Sequence, residues 1–328
     1  MLSKILFGVI LTPVIYLAIA CGLVLSQWPA TLAPNTSQTG GLDFSNVLSG
    51  DRATPQESEH LKMRDGHMLP VRIYGAPQQG PLLVLVHGSG WHGLQFDSLA
   101  RALGEQAYVV VPDLRGHGAA PQSRGDIDHI GQYEEDLADM IDQLRQDQQE
   151  VVIAGHSSGG GLVVRMAGGA YRDRMDKAIL LAPFLKYNAP TMRPNSGGWA
   201  RGLTRRLIGQ SMLNSVGITA LNHLVAMQFA MPQVVLEGPL GHTATTSYSY
   251  RLNASYAPRD AYLEDVAGLP PFLLIAGRND EAFIAEAYEP LLSGATEAGA
   301  YHLIEGVGHL DVVDVPETKA LIRKFLQK

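Results

Sequence analysis

Apolar residues follow two alternating patterns from about residue 57 onwards. Short continuous apolar runs recur, and strands that are covered on both faces have this pattern. Between them lie longer segments with apolar residues three or four positions apart. The clearest is residues 130–146, where Leu137, Met140, Ile141 and Leu144 share one helix face. The alternation predicts an α/β fold, with a mostly parallel sheet covered by helices on both faces.

The first two predicted strands, residues 58–63 and 69–75, are joined by Arg-Asp-Gly-His, which predicts a hairpin. The later strands are predicted within the runs at residues 81–88, 108–113, 151–155, 177–184, 270–277 and 301–306. Helices are predicted at residues 96–106, 130–146, 283–298 and 315–326. One more helix is predicted shortly after the strand at residues 151–155.

One interval breaks this alternation. Residues 185–269, about 85 in number, separate two predicted strands, which is far more than a crossover needs. Within it, residues 199–230 have a largely helical pattern and carry Arg201, Arg205 and Arg206. We expect the insertion to form a helical cap over the carboxyl ends of the strands, where α/β proteins bind ligands. A packing embellishment without a role in substrate binding is the alternative.

The N-terminal segment differs from the rest of the chain. Residues 5–25 are 21 residues without a charge, and about 20 apolar residues span a bilayer. We therefore expect residues 1–25 to be a membrane anchor. Lys4 favours the N-terminus inside, which places the catalytic body on the extracytoplasmic side. Residues 26–56 are rich in Pro, Thr, Ser and Gly and predict a flexible linker to a domain at residues 57–328.

Two other interpretations of this segment stay open. Ala18-Ile19-Ala20 is a small-x-small pattern, so a signal peptide cleaved after Ala20 would give a secreted or periplasmic protein. Ala-Ile-Ala-Cys also loosely resembles a bacterial lipobox, which would lipidate Cys21. The apolar residues that follow Cys21 argue against both, because a processed chain usually turns polar there.

Composition excludes several classes of partner. The net charge of −7 and the absence of a run of basic residues argue against nucleic acid. Cys21 is the only cysteine in the sequence, so neither an internal disulfide nor a zinc site of cysteines can form within one chain. We expect no metal site and no cofactor.

The segment Val151–Gly161, VVIAGHSSGGG, carries the strongest chemical signal. A β-branched run enters it and a helix-compatible run leaves it, which predicts a strand, a tight turn and a helix. Gly155-His156-Ser157-Ser158-Gly159 fits the G-x-S-x-G nucleophile elbow in that context. Ser157 is therefore the predicted nucleophile.

A serine nucleophile needs a base and an acid that orients the base. In hydrolases with this elbow, the acid and then the histidine follow the serine on loops after late strands. Asp280 follows the predicted strand at residues 270–277, and His309 follows the strand at residues 301–306. We therefore expect Asp280 to be the acid and His309 the base. The other candidates are less suitable: His302 lies within the last strand run, and Asp311 and Asp314 lie too close to His309. Three further histidines, His129, His223 and His242, follow no late strand.

An oxyanion hole needs backbone N–H groups at the place where negative charge develops. The N–H of Ser158, directly after the nucleophile, is the first predicted donor. The second is expected in His87-Gly88-Ser89-Gly90, after an early strand. We favour the N–H of Ser89 and place Gly90 second.

Five motifs in order, HGSG, DLRGHG, GHSSG, GRND and GVGH, resemble the α/β-hydrolase superfamily. More narrowly, they resemble its lysophospholipase and monoacylglycerol-lipase-like serine hydrolases, and the match covers residues 57–328. The resemblance implies an esterase or lipase with a Ser-His-Asp triad and a helical cap, and it implies a structural turn for DLRGHG, with Arg115 and His117. Ser158 departs from the methionine or glutamine often found after the nucleophile.

The expected function is hydrolysis of a carboxylic ester, from a small-molecule or lipid substrate that is apolar on its acyl side. Amide, thioester or carbon–carbon bond hydrolysis by the same residues is the alternative, because fold and triad do not specify the leaving group. A peptidase is disfavoured by the absence of His-Gly-Gly-Pro-Gly, and a dehalogenase by serine at position 157. A non-catalytic binding protein would lack a member of the triad.

Overall fold

The computed structural model describes residues 2–31, 42–44, 54–193 and 198–328, with side chains from residue 12 onwards. Its main feature is an eight-stranded sheet in the order β1-β2-β4-β3-β5-β6-β10-β11. The strands are β1 Ser58–Lys62, β2 Met68–Tyr74, β3 Leu82–Val86, β4 Tyr108–Pro112, β5 Val151–His156, β6 Lys177–Leu181, β10 Phe272–Gly277 and β11 Gly299–Ile304.

The sheet is mostly parallel, as predicted. β2 pairs antiparallel with both β1 and β4, and every other pair in this sheet is parallel. The central strands β3, β4 and β5 are buried at every position, because helices cover both faces. The helices of the main domain are α2 Asp97–Leu103, α3 Gln132–Leu144, α4 Ser158–Ala167, α7 Tyr250–Tyr256, α8 Tyr262–Ala267, α9 Tyr288–Leu292 and α10 Pro316–Leu326. The α/β-hydrolase fold predicted from the sequence is confirmed.

The segment between β6 and β10 contains a second, smaller sheet. Its strands are β7 Ala200–Gly202, β8 Val225–Phe229 and β9 Ser247–Ser249, all antiparallel, and its helices are α5 Thr204–Ser215 and α6 Gln233–Leu236. The helical pattern predicted for residues 199–230 therefore holds for α5, whereas β7 and β8 are strands. β8 is a strand because β7 and β9, which lie far from it in the sequence, pair with its two edges. A local sequence pattern does not reveal such pairing.

A helix at the N-terminus, α1 Leu2–Leu25, packs against α5 of this cap. Ala20 and Val24 are fully buried there against Leu213. Arg206 is also buried, and its guanidinium donates to the carbonyls of Val24 at 3.2 Å and Val225 at 2.8 Å. α1 therefore contributes to the apolar core of the cap.

The segment that follows α1 contacts the same region. Trp28 stacks on the Arg206 guanidinium at 5.3 Å, and Ala30 exchanges two hydrogen bonds with the side chain of Gln228. Residues 32–41 and 45–53 of the predicted linker lie outside the described residues.

Within the described part of the chain, no helix combines the length and the apolar character that a membrane crossing requires. The predicted transmembrane helix thus has no support there. Cleavage after Ala20, lipidation of Cys21 and the cellular location stay predictions.

We predict that Gly209→Ala loosens α1 from the cap. A Cβ atom at Gly209 would lie 2.5 Å from the Ala20 carbonyl oxygen and 2.8 Å from a Val24 methyl carbon, so the helices must separate. Overpacking of this kind costs about 1–3 kcal/mol. Amide hydrogen exchange across residues 12–25 should become correspondingly faster.

Gly22→Ala is the matched control, because nothing lies within 4 Å of a Cβ atom at this position on α1. Each substitution raises helix propensity, Gly22→Ala within α1 itself and Gly209→Ala within α5, so exchange across residues 12–25 should be unchanged or slower in the control. Equal protection of residues 12–25 in the two variants would contradict the interface between α1 and α5.

Candidate active site

Ser157 lies on a strained turn between β5 and α4. Its φ of 54° and ψ of −120° lie outside the regions that non-glycine residues ordinarily adopt. The turn is tight because two glycines flank it. A Cβ atom at Gly155 would lie 2.3 Å from the Gly159 carbonyl oxygen, and one at Gly159 would lie 2.2 Å from the Val86 carbonyl oxygen. Only glycine fits at either position, which explains the motif.

Asp280 and His309 meet at the carboxyl edge of the sheet. Asp280 follows β10 and His309 follows β11, and Nδ1 of His309 lies 2.8 Å from Oδ2 of Asp280. Both residues are buried, with 1% and 2% of their surfaces exposed. Because the carboxylate only accepts, His309 carries its proton on Nδ1, and Nε2 is left as the basic nitrogen.

The Asp280 carboxylate is held in its ionised form. Burial alone would raise its pKa, but the charge of His309, the hydrogen bond from His309 and the N–H groups of Phe283 and Ala282 together lower the pKa below its usual value. The two N–H groups donate to Oδ1 at 2.7 and 2.8 Å. This carboxylate can therefore orient an imidazole and stabilise its protonated form.

Ser157 and His309 line one cavity of about 930 Å³. Its apolar walls come from residues 42–44, the segment after β3, the insertion between β6 and β10, and the loop after β11: Leu42, Phe44, Trp91, Leu94, Trp199, Met231, Leu240, Val307 and Leu310. Its polar rim, between α2 and α10, includes Asp97, Arg101, Asp311, Asp314 and Lys319. The nucleophile candidate thus faces an apolar pocket with a charged rim.

The 87–90 loop lies beside Ser157. The Gly88 N–H donates to Oε1 of Gln95 at 2.9 Å, and the Gly90 N–H donates to the Tyr248 hydroxyl at 2.7 Å. Gly90, the second choice for an oxyanion donor, is therefore already engaged. Within the described residues, the N–H of Ser89 has no hydrogen-bond acceptor, and neither has that of Ser158 in the first turn of α4.

The side chains of the two predicted oxyanion residues contact each other. The hydroxyl oxygens of Ser89 and Ser158 lie 2.5 Å apart. This contact ties the 87–90 loop to the turn that carries Ser157, and it gives Ser158 a hydrogen-bonding role that a methionine would not have.

Sequence reasoning missed a buried network beneath these loops. His156 accepts from Nε2 of Gln95 at 2.7 Å, and its own Nε2 donates to the carbonyl of His309 at 2.9 Å. Burial, with a smaller effect of the nearby His309, lowers the pKa of His156 to about 3, so its ring is neutral at ordinary pH. His156 lies within the G-x-S-x-G motif, whereas no local sequence pattern indicates a role for Gln95.

None of the other candidates replaces Asp280 as the partner of the His309 imidazole. Asp314 pairs with Lys319 at 2.7 Å, and His129 pairs with Glu135 at 3.1 Å. His223 bonds the Ala220 carbonyl on the surface. Asp311 lines the cavity, but Asp280 holds the His309 ring.

DLRGHG is a structural turn, as the resemblance implies. Arg115 is buried and paired with Asp136 and Asp65, at 2.6 and 2.7 Å. The three arginines of the cap insertion do not line the cavity either. Among the described residues, no group of three His, Cys, Asp or Glu side chains converges as a metal site.

The sheet order, the strained serine turn and the Asp280–His309 pair at the carboxyl edge define an α/β hydrolase. The family model described as serine aminopeptidase, S33, matches residues 77–314. The chain belongs to this family, and its relatives and fold support a hydrolase.

Several known proteins are similar to the chain. An uncharacterised protein of Mycobacterium tuberculosis is 23% identical over 273 residues, which cover 76% of this chain and 75% of the relative. A soluble variant of monoglyceride lipase from Saccharomyces cerevisiae, solved with a substrate analogue, has a TM-score of 0.63 at 14% identity and covers 90% of this chain and 97% of its own.

A membrane phospholipase A, described as a bacterial virulence factor, has a TM-score of 0.57 at 17% identity. The match covers 99% of this chain and 97% of the phospholipase. At these identities the two structural likenesses show the fold alone.

Proposed function

We propose that this protein is a serine hydrolase that cleaves a carboxylic ester through Ser157, His309 and Asp280. The observation that carries the proposal is the 2.8 Å contact between Asp280 and Nδ1 of His309, in a cavity that Ser157 also lines. A base oriented by a buried carboxylate beside a serine on a strained turn is the arrangement that activates a hydroxyl.

In the first half of the reaction, Oγ of Ser157 attacks the ester carbonyl carbon while Nε2 of His309 takes the hydroxyl proton. The carbonyl oxygen becomes an oxyanion, to which the N–H groups of Ser89 and Ser158 donate. The intermediate then collapses, the bond to the alcohol oxygen breaks, and His309 returns the proton to that oxygen. The products of this half are a free alcohol and an acyl group on Ser157.

In the second half, His309 takes a proton from water, and the resulting hydroxide attacks the acyl carbon. A second oxyanion forms at the same two N–H groups and collapses. The bond between the acyl carbon and Oγ of Ser157 breaks, His309 returns the proton to Oγ, and the carboxylic acid leaves. Asp280 stays ionised throughout, because its pKa is lowered, and it stabilises the imidazolium that forms twice in each cycle.

The cavity favours a substrate with an apolar acyl group. Trp199, Met231 and Leu240 of the cap and Phe44 of the linker form its apolar wall. Two of the fold neighbours are named for monoglyceride and phospholipid substrates, which supports a lipid ester. The charged rim beside Arg101 and Lys319 would then face the polar end of the substrate.

Amide hydrolysis is the second candidate. The family description names an aminopeptidase, an enzyme that must bind a free amino group. Asp311 lines the cavity, and its carboxylate has no ion pair within the described ranges, so it could receive such a group. The same triad chemistry would apply, with an amine as the leaving group.

We predict that p-nitrophenyl esters are hydrolysed faster than the matching amino-acid p-nitroanilides, and that kcat/KM rises with acyl length from acetate to octanoate. The apolar wall binds the longer chains, at about 0.8 kcal/mol for each buried methylene. Assays of both series with the same enzyme preparation test this. Faster turnover of the anilides, abolished in Asp311→Asn, would establish the amide alternative.

We predict that Ser157→Ala abolishes ester hydrolysis and labelling by a fluorophosphonate, because the variant lacks the attacking oxygen. The substitution removes one oxygen atom from a half-buried residue in a turn held by its backbone, so the melting temperature should change little. Ser293→Ala, on the surface of the main domain, is the control and should behave as wild type. Labelling that persists in Ser157→Ala would place the nucleophile at another residue.

We predict that Asp280→Asn lowers kcat by about 10⁴, as the loss of the acid does in a well-studied triad. The amide keeps the shape of the carboxylate but can neither stabilise the imidazolium nor enforce the Nδ1 proton on His309. The comparison is Asp311→Asn, whose side chain does not contact the imidazole. If Asp280→Asn were nearly as active as wild type and Asp311→Asn inactive, the acid would be Asp311.

A further inference from the structure

The cap holds the 87–90 loop through the backbone of Gly90. The Gly90 carbonyl accepts from the Thr245 N–H at 2.9 Å, and the Gly90 N–H donates to the Tyr248 hydroxyl at 2.7 Å. Two residues further along, His92 bonds the Thr243 hydroxyl at 2.8 Å. The segment that leads into β9 therefore runs alongside this loop and fixes both peptide groups of Gly90.

Each hydrogen bond around Tyr248 has a defined direction. Nδ1 of His117 lies 2.9 Å from the Arg115 carbonyl, which only accepts, so the His117 proton is on Nδ1. Nε2 of His117, 2.6 Å from the Tyr248 hydroxyl, must then accept from it. Burial lowers the pKa of His117 far below its usual value and keeps the ring neutral, as this arrangement requires. The tyrosine oxygen thus donates to His117 and accepts from the Gly90 N–H, and the Ser89 hydroxyl is a further hydrogen-bond neighbour of this oxygen.

Ring packing fixes the position of the Tyr248 oxygen. The side chain is 1% exposed, and its ring packs edge-on against Phe229 at 4.6 Å and parallel to Tyr256 at 6.0 Å. Gly90, with a φ of 77°, approaches Trp199 and Met231 so closely that a Cβ atom would be 3.2 to 3.4 Å from them. The loop therefore packs closely against the cap at Gly90.

The two amides that flank Ser89 are thus both held by side chains. Gln95 accepts from Gly88, and Tyr248 accepts from Gly90. Between them, the Ser89 N–H is without an acceptor in the described part of the chain. The Gly88 carbonyl, in the same peptide group as the Ser89 N–H, accepts from Nδ1 of His87 at 2.9 Å. His87 and the two flanking amides together set the direction of this N–H, and Tyr248 holds the Gly90 side of it.

We propose that Tyr248 is a positioning residue of the oxyanion hole: a tyrosine of the cap that aims the Ser89 N–H through Gly90. The inference rests on the proposed function, because an oxyanion must form for the N–H to act on it. It makes the cap a structural part of the catalytic apparatus in addition to a wall of the substrate pocket. A loop with two glycines has much conformational freedom. The hydrogen bonds of Gly90 with the Thr245 N–H and the Tyr248 hydroxyl restrict that freedom.

The test is Tyr248→Phe, which keeps the ring and removes the oxygen. Loss of an oxyanion donor costs about 10² to 10³ in kcat, and a misdirected donor should cost less, about 10-fold. KM for the ester should stay the same, because the ground state does not use the hole. The inhibition constant of a trifluoromethyl ketone, which adds to Ser157 as an oxyanion, should rise by the same factor as kcat falls.

The matched control is Tyr133→Phe. Tyr133 is equally buried and donates to the Arg115 carbonyl at 2.7 Å, a group that keeps its bond from His117 in the variant. Its kcat and its inhibition constant should equal those of wild type. Rates are taken per site titrated with a fluorophosphonate, so that an unfolded fraction does not lower them.

Two results would overturn the inference. One is a kcat for Tyr248→Phe equal to that of Tyr133→Phe. The other is a raised KM with an unchanged inhibition constant for the ketone, which would make Tyr248 part of the substrate wall only. Failure of the proposed function would give a different result, because the fluorophosphonate would not label Ser157 in the wild-type protein. That result would also overturn the inference about Tyr248.

Discussion

The backbone of Ser157 is in a conformation that costs an L-residue about 1–3 kcal/mol, and the site depends on its being kept there. Three backbone hydrogen bonds hold it. The Ser157 N–H donates to the Leu181 carbonyl at 2.9 Å, and the Ser157 carbonyl accepts from Phe184 at 2.9 Å and from Gly161 at 3.1 Å. Because β5 is paired on both sides, with β3 and β6, the turn cannot relax without breaking the centre of the sheet.

The same constraint brings the other groups of the site together. In a parallel sheet the strands end at one edge, so the loops after β3, β5, β10 and β11 meet there. A buried relay then fixes their relative positions, from the Gly88 N–H through Gln95 and His156 to the His309 carbonyl. In this relay Nδ1 of His156 accepts from Gln95 and Nε2 donates to the His309 carbonyl. The relay therefore also fixes the tautomer of His156.

How much of the structure can be predicted from the sequence depends on how far apart the interacting residues lie along the chain. Continuous apolar runs predicted the strands that are buried on both faces, such as β3, β4 and β5, because such a pattern is local. β1 is largely exposed, and a short strand-like run with a turn signal predicts it. Chain order then placed Asp280 and His309 at the edge where the structure has them. Residues 225–229, by contrast, are a strand because residues 200–202 and 247–249 pair with them, and Tyr248 bonds Gly90 from 158 positions away. No window of sequence contains both partners.

This long-range part of the fold forms one continuous path. Arg206 bonds the carbonyl of Val24 in α1 and that of Val225 in β8, and β8 pairs with β9 at Met227 and Tyr248. Tyr248 in turn bonds Gly90. Contact along a path does not by itself couple its ends, since coupling requires an element with two arrangements. The contacts therefore establish one thing: α1 contributes to the apolar core of the segment that contains β9, and Tyr248 of β9 bonds the loop beside Ser157.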